Sequence, residues 1–186
     1  MTSDRSSEGS PGRAESEVVE LVSSLIRFDT SNTGELETTK GERECALWVQ
    51  ARLEEVGYET EYVESGAPGR GNVFARLKGA DPARGTLLMH GHLDVVPAEP
   101  ADWSVHPFSG AVEDGYVWGR GAVDMKDMCG MMLALARQFK AEGTVPRATS
   151  CSRSSRTRRP AASTGASGSS TTGPICSRVS PRPWAK

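Results

Sequence analysis

No stretch of this 186-residue sequence approaches the roughly 18 consecutive apolar residues of a membrane-spanning helix, so no bilayer-spanning segment is expected. The opening Met-Thr-Ser-Asp-Arg-Ser-Ser-Glu-Gly-Ser-Pro-Gly has no apolar signal core, and a cytoplasmic protein is the expectation. Cysteine is scarce: Cys45, Cys129, Cys151 and Cys176 form no Cys-x-x-Cys pair and lack the density of a secreted scaffold, which argues for reduced thiols. The third absence is positional, because no Asp, Glu or His follows Glu142. All 24 acidic residues precede Gly143, whereas eight of the 22 basic residues follow it, so the two parts carry net charges of −10 and +8. An acid-free basic stretch ordinarily suggests attraction to phosphates, and a nucleic-acid-binding module is one reading of it.

What is present is a chain with 37% hydrophobic and 25% charged residues, enough for one sizeable α/β core. Residues 1–14 are Ser, Gly, Pro and charge without periodicity, as in a disordered leader. Val18, Leu21, Val22, Leu25 and Ile26 then recur at helical spacing until Ser31-Asn32-Thr33-Gly34 breaks the pattern. A second helix is predicted from Glu42 to Val56, with Ala46, Val49, Leu53 and Val56 on one face and Gly57 as its C-cap. Tyr58 to Val63, Asn72 to Leu77 and Thr86 to Met89 read as strands, the last ending at His90-Gly91-His92. Asp114-Gly115 marks a hairpin turn. A third helix opens near Asp124, with Met128, Met131, Met132, Leu135, Ala136 and Phe139 on a face expected to be core.

His92 and Asp94 lie where a buried strand runs out, the place where open α/β sheets bind their ligands. A zinc-bound imidazole donates its second N–H to an acceptor that fixes its tautomer, and Asp94 is near enough in sequence to serve. His90 points the same way as His92 in a strand, but one imidazole suffices for one metal here. Taken alone, His-x-Asp is equally a hydrogen-bonded histidine at a strand end, and Asp124 is equally an N-cap. Lys126 and Asp127 read as a solvated pair on the first helical turn, and His106 as a loop residue.

Several motifs in order carry more: His90-Gly91-His92-Leu93-Asp94-Val95-Val96-Pro97, then Trp103, Pro107-Phe108 and Asp114-Gly115, then Gly119-Arg120-Gly121-Ala122-Val123-Asp124-Met125-Lys126. This pattern resembles the zinc metallopeptidase family of acetylornithine deacetylase, succinyl-diaminopimelate desuccinylase, aminoacylase, dinuclear dipeptidases and glutamate carboxypeptidases. The resemblance implies that His92 binds one metal, that Asp94 is the catalytic-site residue orienting it, that Asp124 bridges two metals, and that the Asp124-Met125 peptide after it is cis. It implies two Zn2+ per site, with Co2+ or Mn2+ as substitutes, and a small peptide or N-acyl amino acid as substrate, with no nucleic-acid or membrane partner. Asp127 departs from the family's usual Gly. The family's general base heads a Glu-Glu pair downstream of these ligands, and no acidic residue follows Glu142 here.

From Arg147 onward no apolar period and no strand or helix signal is legible. With G/C-rich codons, a frame beginning at the last base of the Ala148 codon can instead encode Asp-Leu-Val-Leu-Ala-Phe-Leu-Ala-Asp-Glu-Glu, an apolar strand followed by the missing pair. The expected organisation is therefore a leader at 1–14, the N-terminal portion of a mixed-sheet α/β catalytic domain with helices on its faces at 15–142, and a non-native, disordered basic tail at 143–186. The family's dimerisation domain is absent from this plan, and the apolar faces of all three helices are expected to lack partners. Three functions follow: a di-zinc amide hydrolase, a catalytically inactive truncated relative of one, or a nucleic-acid-binding module.

Overall fold

The computed structural model describes residues 12–64 and 66–155. Helices α1 (Arg13–Arg27) and α2 (Arg43–Glu54) precede strands β1 (Thr60–Glu64), β2 (Gly71–Leu77) and β3 (Thr86–His92). A hairpin of β4 (Val112–Glu113) and β5 (Tyr116–Val117) follows, then α3 (Lys126–Ala141) and β6 (Thr149–Ser155). The main sheet has the order β1-β2-β6-β3 and is mixed: β6 runs antiparallel to β2 and parallel to β3.

Alternation along the strands decides which face is core. Val73 and Ala75 of β2 are buried and share a cluster with Cys45, Ala46, Val49 and Leu53 of α2 and Cys129, Leu133, Ala134 and Ala136 of α3. The same face of β3 carries Gly91, where a Cβ would lie 2.8 Å from Cys129 Sγ and 2.9 Å from Met132 Cε. Glycine between the two histidines is thus what lets α3 rest directly on the strand. Helix α1 packs on α3, with Val22 against Gly130, and buries Leu21, Val22, Leu25 and Ile26. A buried Arg137 on α3 ties the three helices together, bonding Glu17 at 2.8 Å, Glu55 at 3.0 Å and the Arg52 carbonyl. Its guanidinium holds the Glu17 carboxyl below the usual range.

Several expectations are corrected. The largest concerns β6: Thr-Ser-Cys-Ser-Arg-Ser-Ser, in a segment with no strand signal, is an inner strand of the sheet. Neighbours on both sides satisfy its backbone, which outweighs a poor apolar pattern. Helix α1 starts inside the expected leader, whose residues 1–11 lie outside the described residues, as does the tail from 156. The helices do have apolar partners. On α3 it is Cys129, Gly130, Leu133, Ala134 and Ala136 that face inward, with Met132 packed against them, while Met128, Met131 and Leu135 are 44%, 45% and 37% exposed, so the expected face is core only in part. Lys126 is fully buried rather than solvated, its Nζ donating to the Phe28 carbonyl at 2.8 Å. Cys45 and Cys129 are free thiols as expected, but Cys151 is disulfide-bonded.

Candidate functional site

Strand β3 extends three residues further than its apolar run, through His90 to His92, and then delivers Leu93, Asp94 and Val95 into the protein. The segment after α1 runs beside it: Ser31 pairs with Val95, the Asn32 amide donates to the Val95 carbonyl at 2.8 Å, and Thr30 Oγ1 donates to the Leu93 carbonyl at 2.6 Å. From the other side comes the loop Gly119–Asp124. Gly121 adopts a φ of +82°, and a Cβ there would meet Val95 Cγ1 at 2.6 Å, so only glycine admits this close turn. The Asp124-Met125 peptide is cis, as the resemblance implies.

These segments enclose a cleft of about 400 Å3 lined by Asn32, His92, Asp94, Val95, Val96 and residues 119–124. His92 Nδ1 lies 3.0 Å from the Asp94 carbonyl oxygen and 3.4 Å from Asp94 Oδ1, while Nε2 faces Asp124 Oδ1 at 3.2 Å. If Nδ1–H donates to the carbonyl, a neutral ring turns the Nε2 lone pair toward a carboxylate oxygen. A proton or a cation between the two atoms would resolve that opposition. Two ligand atoms on one tetrahedral zinc, each roughly 2.0–2.1 Å away, stand about 3.3 Å apart, so the observed separation fits a common metal. Among the described residues, however, no group of three or more His, Cys, Asp or Glu side chains is placed to hold a metal ion.

Asp124 is not a helix cap, since the N-cap of α3 is Met125 and no side-chain cap bond is present. Its side chain is 89% exposed and directed at His92. His90 is exposed and does not line the cleft, which leaves His92 as the imidazole there. His106 remains a loop residue, accepting from the Phe108 amide at 3.2 Å.

Residues that the sequence did not bring forward lie beneath the cradle. Asn32 Nδ2 donates to Asp94 Oδ2 at 2.8 Å, and an Arg70 Nη lies 3.6 Å from the same oxygen. Arg70 is gripped in turn by Glu42, at 2.8 Å and 3.4 Å. Glu42, Arg70 and Asp94 are 2%, 7% and 4% exposed. Burial pushes the Glu42 carboxyl up, against the opposing pull of Arg70. On the cleft's rim Arg120 sits over the Trp103 ring at 5.1 Å, and its Nε has no hydrogen-bond partner among the described residues. Only the long-range pairing of segments could reveal Asn32, Glu42 and Arg70, because none belongs to a local motif.

Residues 88–151 match the family model described as Peptidase family M20/M25/M40. The succinyl-diaminopimelate desuccinylase of Methylorubrum populi is 45% identical over 92 residues, which is 47% of this chain and 23% of that protein. The one from Bordetella petrii is 35% identical over 129 residues, 69% of this chain and 31% of that protein. Among solved structures, human carnosine dipeptidase 1 superposes with a TM-score of 0.63 at 22% identity, covering 75% of this chain and 31% of that one. The metallo-carboxypeptidase Sso-CP2 of Sulfolobus solfataricus gives 0.63 at 20%, covering 75% and 30%. The chain therefore spans about a quarter to a third of the length of the curated relatives it matches. No helix among the described residues is long and apolar enough to cross a membrane.

Proposed function

Since the segment from 88 to 151 belongs to the M20/M25/M40 peptidase family, we propose that His92, Asp94 and Asp124 are one half of a di-zinc centre for hydrolysing the amide bond of a peptide or N-acyl amino acid. The observation that carries this is the 3.2 Å approach of His92 Nε2 to Asp124 Oδ1, a separation suited to a shared metal. His92 Nε2 and the Asp124 carboxylate would hold the ion, while Asp94 would keep the imidazole turned outward. A zinc ion held there would supply a lowered pKa for bound water and polarisation of an amide carbonyl. The chain's own share is placement: the buried Asp94 fixes the ring, and the 119–124 loop presents Asp124 across a cleft wide enough for a small substrate.

The reaction also needs a general base beside the attacking water and acceptance of that proton by the leaving amine. No carboxylate other than Asp94 and Asp124 lines the cleft among the described residues, and the sequence has none after Glu142. We therefore assign the 186-residue chain metal binding without turnover. Calorimetric titration with Zn2+ is expected to show weak binding that His92→Ala abolishes, with no hydrolysis of a dipeptide, N-acetyl or N-succinyl amino acid. Equal binding by wild type and His92→Ala would refute the metal site. Turnover by the wild type would refute the inactivity.

A shifted frame after Ala148 is supported by one structural observation. The seven positions of β6 occupy the inside of the sheet with Thr-Ser-Cys-Ser-Arg-Ser-Ser, while the alternative frame gives Asp-Leu-Val-Leu-Ala-Phe-Leu over the same span. That is the composition an inner strand ordinarily carries. In that frame the basic stretch follows from codon composition, and the nucleic-acid reading loses its support. Sequencing the gene across codons 143–150 tests this, and a single clean frame confirmed by a tryptic peptide from the tail would overturn it.

A further inference from the structure

His92 can serve as a ligand only while its ring presents Nε2 outward, and its place at the end of β3 does not enforce that. The ring is 22% exposed; its Nδ1 lies 3.0 Å from the Asp94 carbonyl oxygen, and Asp94 Oδ1 stands beside the same nitrogen at 3.4 Å. The carboxylate has its own support. Asn32 anchors Oδ2, Arg70 approaches the same oxygen, and Oδ1 is left on the side of the imidazole. Arg70 stands at the start of β2, and Glu42, at the head of α2, bonds two of its guanidinium nitrogens. The Glu42 backbone is itself pinned, its amide donating to the Gly69 carbonyl at 3.1 Å. A line of buried charges therefore runs from the head of α2 through Glu42 and Arg70 to Asp94, linked by hydrogen bonds at its first step and by charge proximity at 3.6 Å and 3.4 Å as it reaches His92.

Such a line of charges adds little to stability. Placing three charges in a water-poor interior costs about as much as their attraction returns, and its best-attested benefit is a single geometry. We propose that Arg70 and Glu42 are positioning residues for the metal half-site, holding the Asp94 carboxylate in the one orientation that keeps His92 in its Nδ1–H tautomer with Nε2 free for a cation. This rests on the reading of His92 as a metal ligand, although its first consequence is visible without metal. Loss of comparable outer partners elsewhere weakens metal binding by about 10- to 100-fold.

The test uses the full chain, labelled with 15N and kept metal-free at about pH 8.5, above the ordinary histidine range. Long-range 1H–15N correlation spectra read the His92 tautomer, and circular dichroism checks folding. Wild type is expected to show Nδ1–H as the dominant form, and a dominant Nε2–H overturns the proposal outright. In Arg70→Met and in the near-isosteric Glu42→Gln, the Nδ1–H share is expected to fall several-fold, with Arg70→Lys recovering part of it. A folded Glu42→Gln or Arg70→Met with the wild-type His92 spectrum also overturns it. Zn2+ titration of the same samples separates the two readings. Wild type that takes up no Zn2+ while the tautomer shift is present refutes the metal site and leaves the positioning role standing.

Discussion

Strand β6 turns Ser152 toward the buried side of the sheet, where so short a polar side chain leaves space unfilled. Ser152 lines a gap of about 40 Å3 whose other walls include Val49, Leu53, Val73, Cys129, Met132, Leu133 and Ala136. Its register neighbour Ala75 is buried on the same face, so a larger side chain at 152 enters the core rather than solvent. Ser152→Val should fill this space. At roughly 24 cal/mol per Å3 of cavity, closing it is worth about 1 kcal/mol. The better fit of a β-branched residue to a strand adds up to about 1 kcal/mol more. With about 2–4 °C per kcal/mol in a chain of this size, thermal denaturation followed by circular dichroism should shift upward by about 3–6 °C. Ser150→Val is the control, since it lies two residues away on the same face but does not line the gap. Its shift should be less than half as large. A midpoint unchanged or lowered in Ser152→Val would refute the cavity account. An equal rise in Ser150→Val would assign the gain to strand propensity alone.

Other predictions follow from the buried groups. Gly91→Ala should destabilise by about 1–3 kcal/mol, because its Cβ would press on Cys129 Sγ and Met132 Cε, and Cys129→Ala in that background should recover part of the loss in urea denaturation. Burial pushes Cys45 and Cys129 up to about 12 from an ordinary 9.0. Their contribution is therefore complete below pH 9 and lost between 9 and 12, at about 1.4 kcal/mol per pH unit for each thiol. Burial lowers the Lys126 pKa, which acts oppositely by adding stability as pH rises toward 10.5. Two thiols outweigh one amine, so the melting midpoint should fall from pH 9 to 11, and Cys45→Ala/Cys129→Ala should abolish or invert the slope. Arg137→Met should cost about 2 kcal/mol, less than a fully buried pair because Glu55 is 41% exposed. Glu17, held low by Arg137, contributes stability present above its ordinary pKa of 4.5 and lost as pH falls through its lower folded value. Acid titration of Arg137→Met should accordingly be flatter below pH 4.5.

The helices and three of the strands were legible because each carries its own period, and the structure moves their ends by only a few residues. The meeting of His92, Asp94 and Asp124 at one cleft was legible too, since the glycines and turns that place them are immediate neighbours in sequence. Local reading failed where burial was decided at a distance. Lys126 looks solvated on the first turn of α3, yet the Phe28 carbonyl, 98 residues away in sequence, takes its ammonium inside. The methionines of α3 look like the core face, yet Gly91 seats the helix on Cys129 and Met132 and leaves Met128 and Met131 outside.

By itself, then, the sequence determined which groups meet at the cleft: an imidazole and two carboxylates at spacings set by a strand end and a tight turn. Tertiary structure alone decided what holds them. Asn32 and Arg70 reach Asp94, and Glu42 reaches Arg70, only after α1, α2 and β2 have packed, because a buried carboxylate must find its partners wherever the fold places them. Packing likewise made a strand of Thr149–Ser155, whose side chains give no reason for one, since hydrogen bonds on both edges satisfy a backbone that its residues alone would leave in solvent.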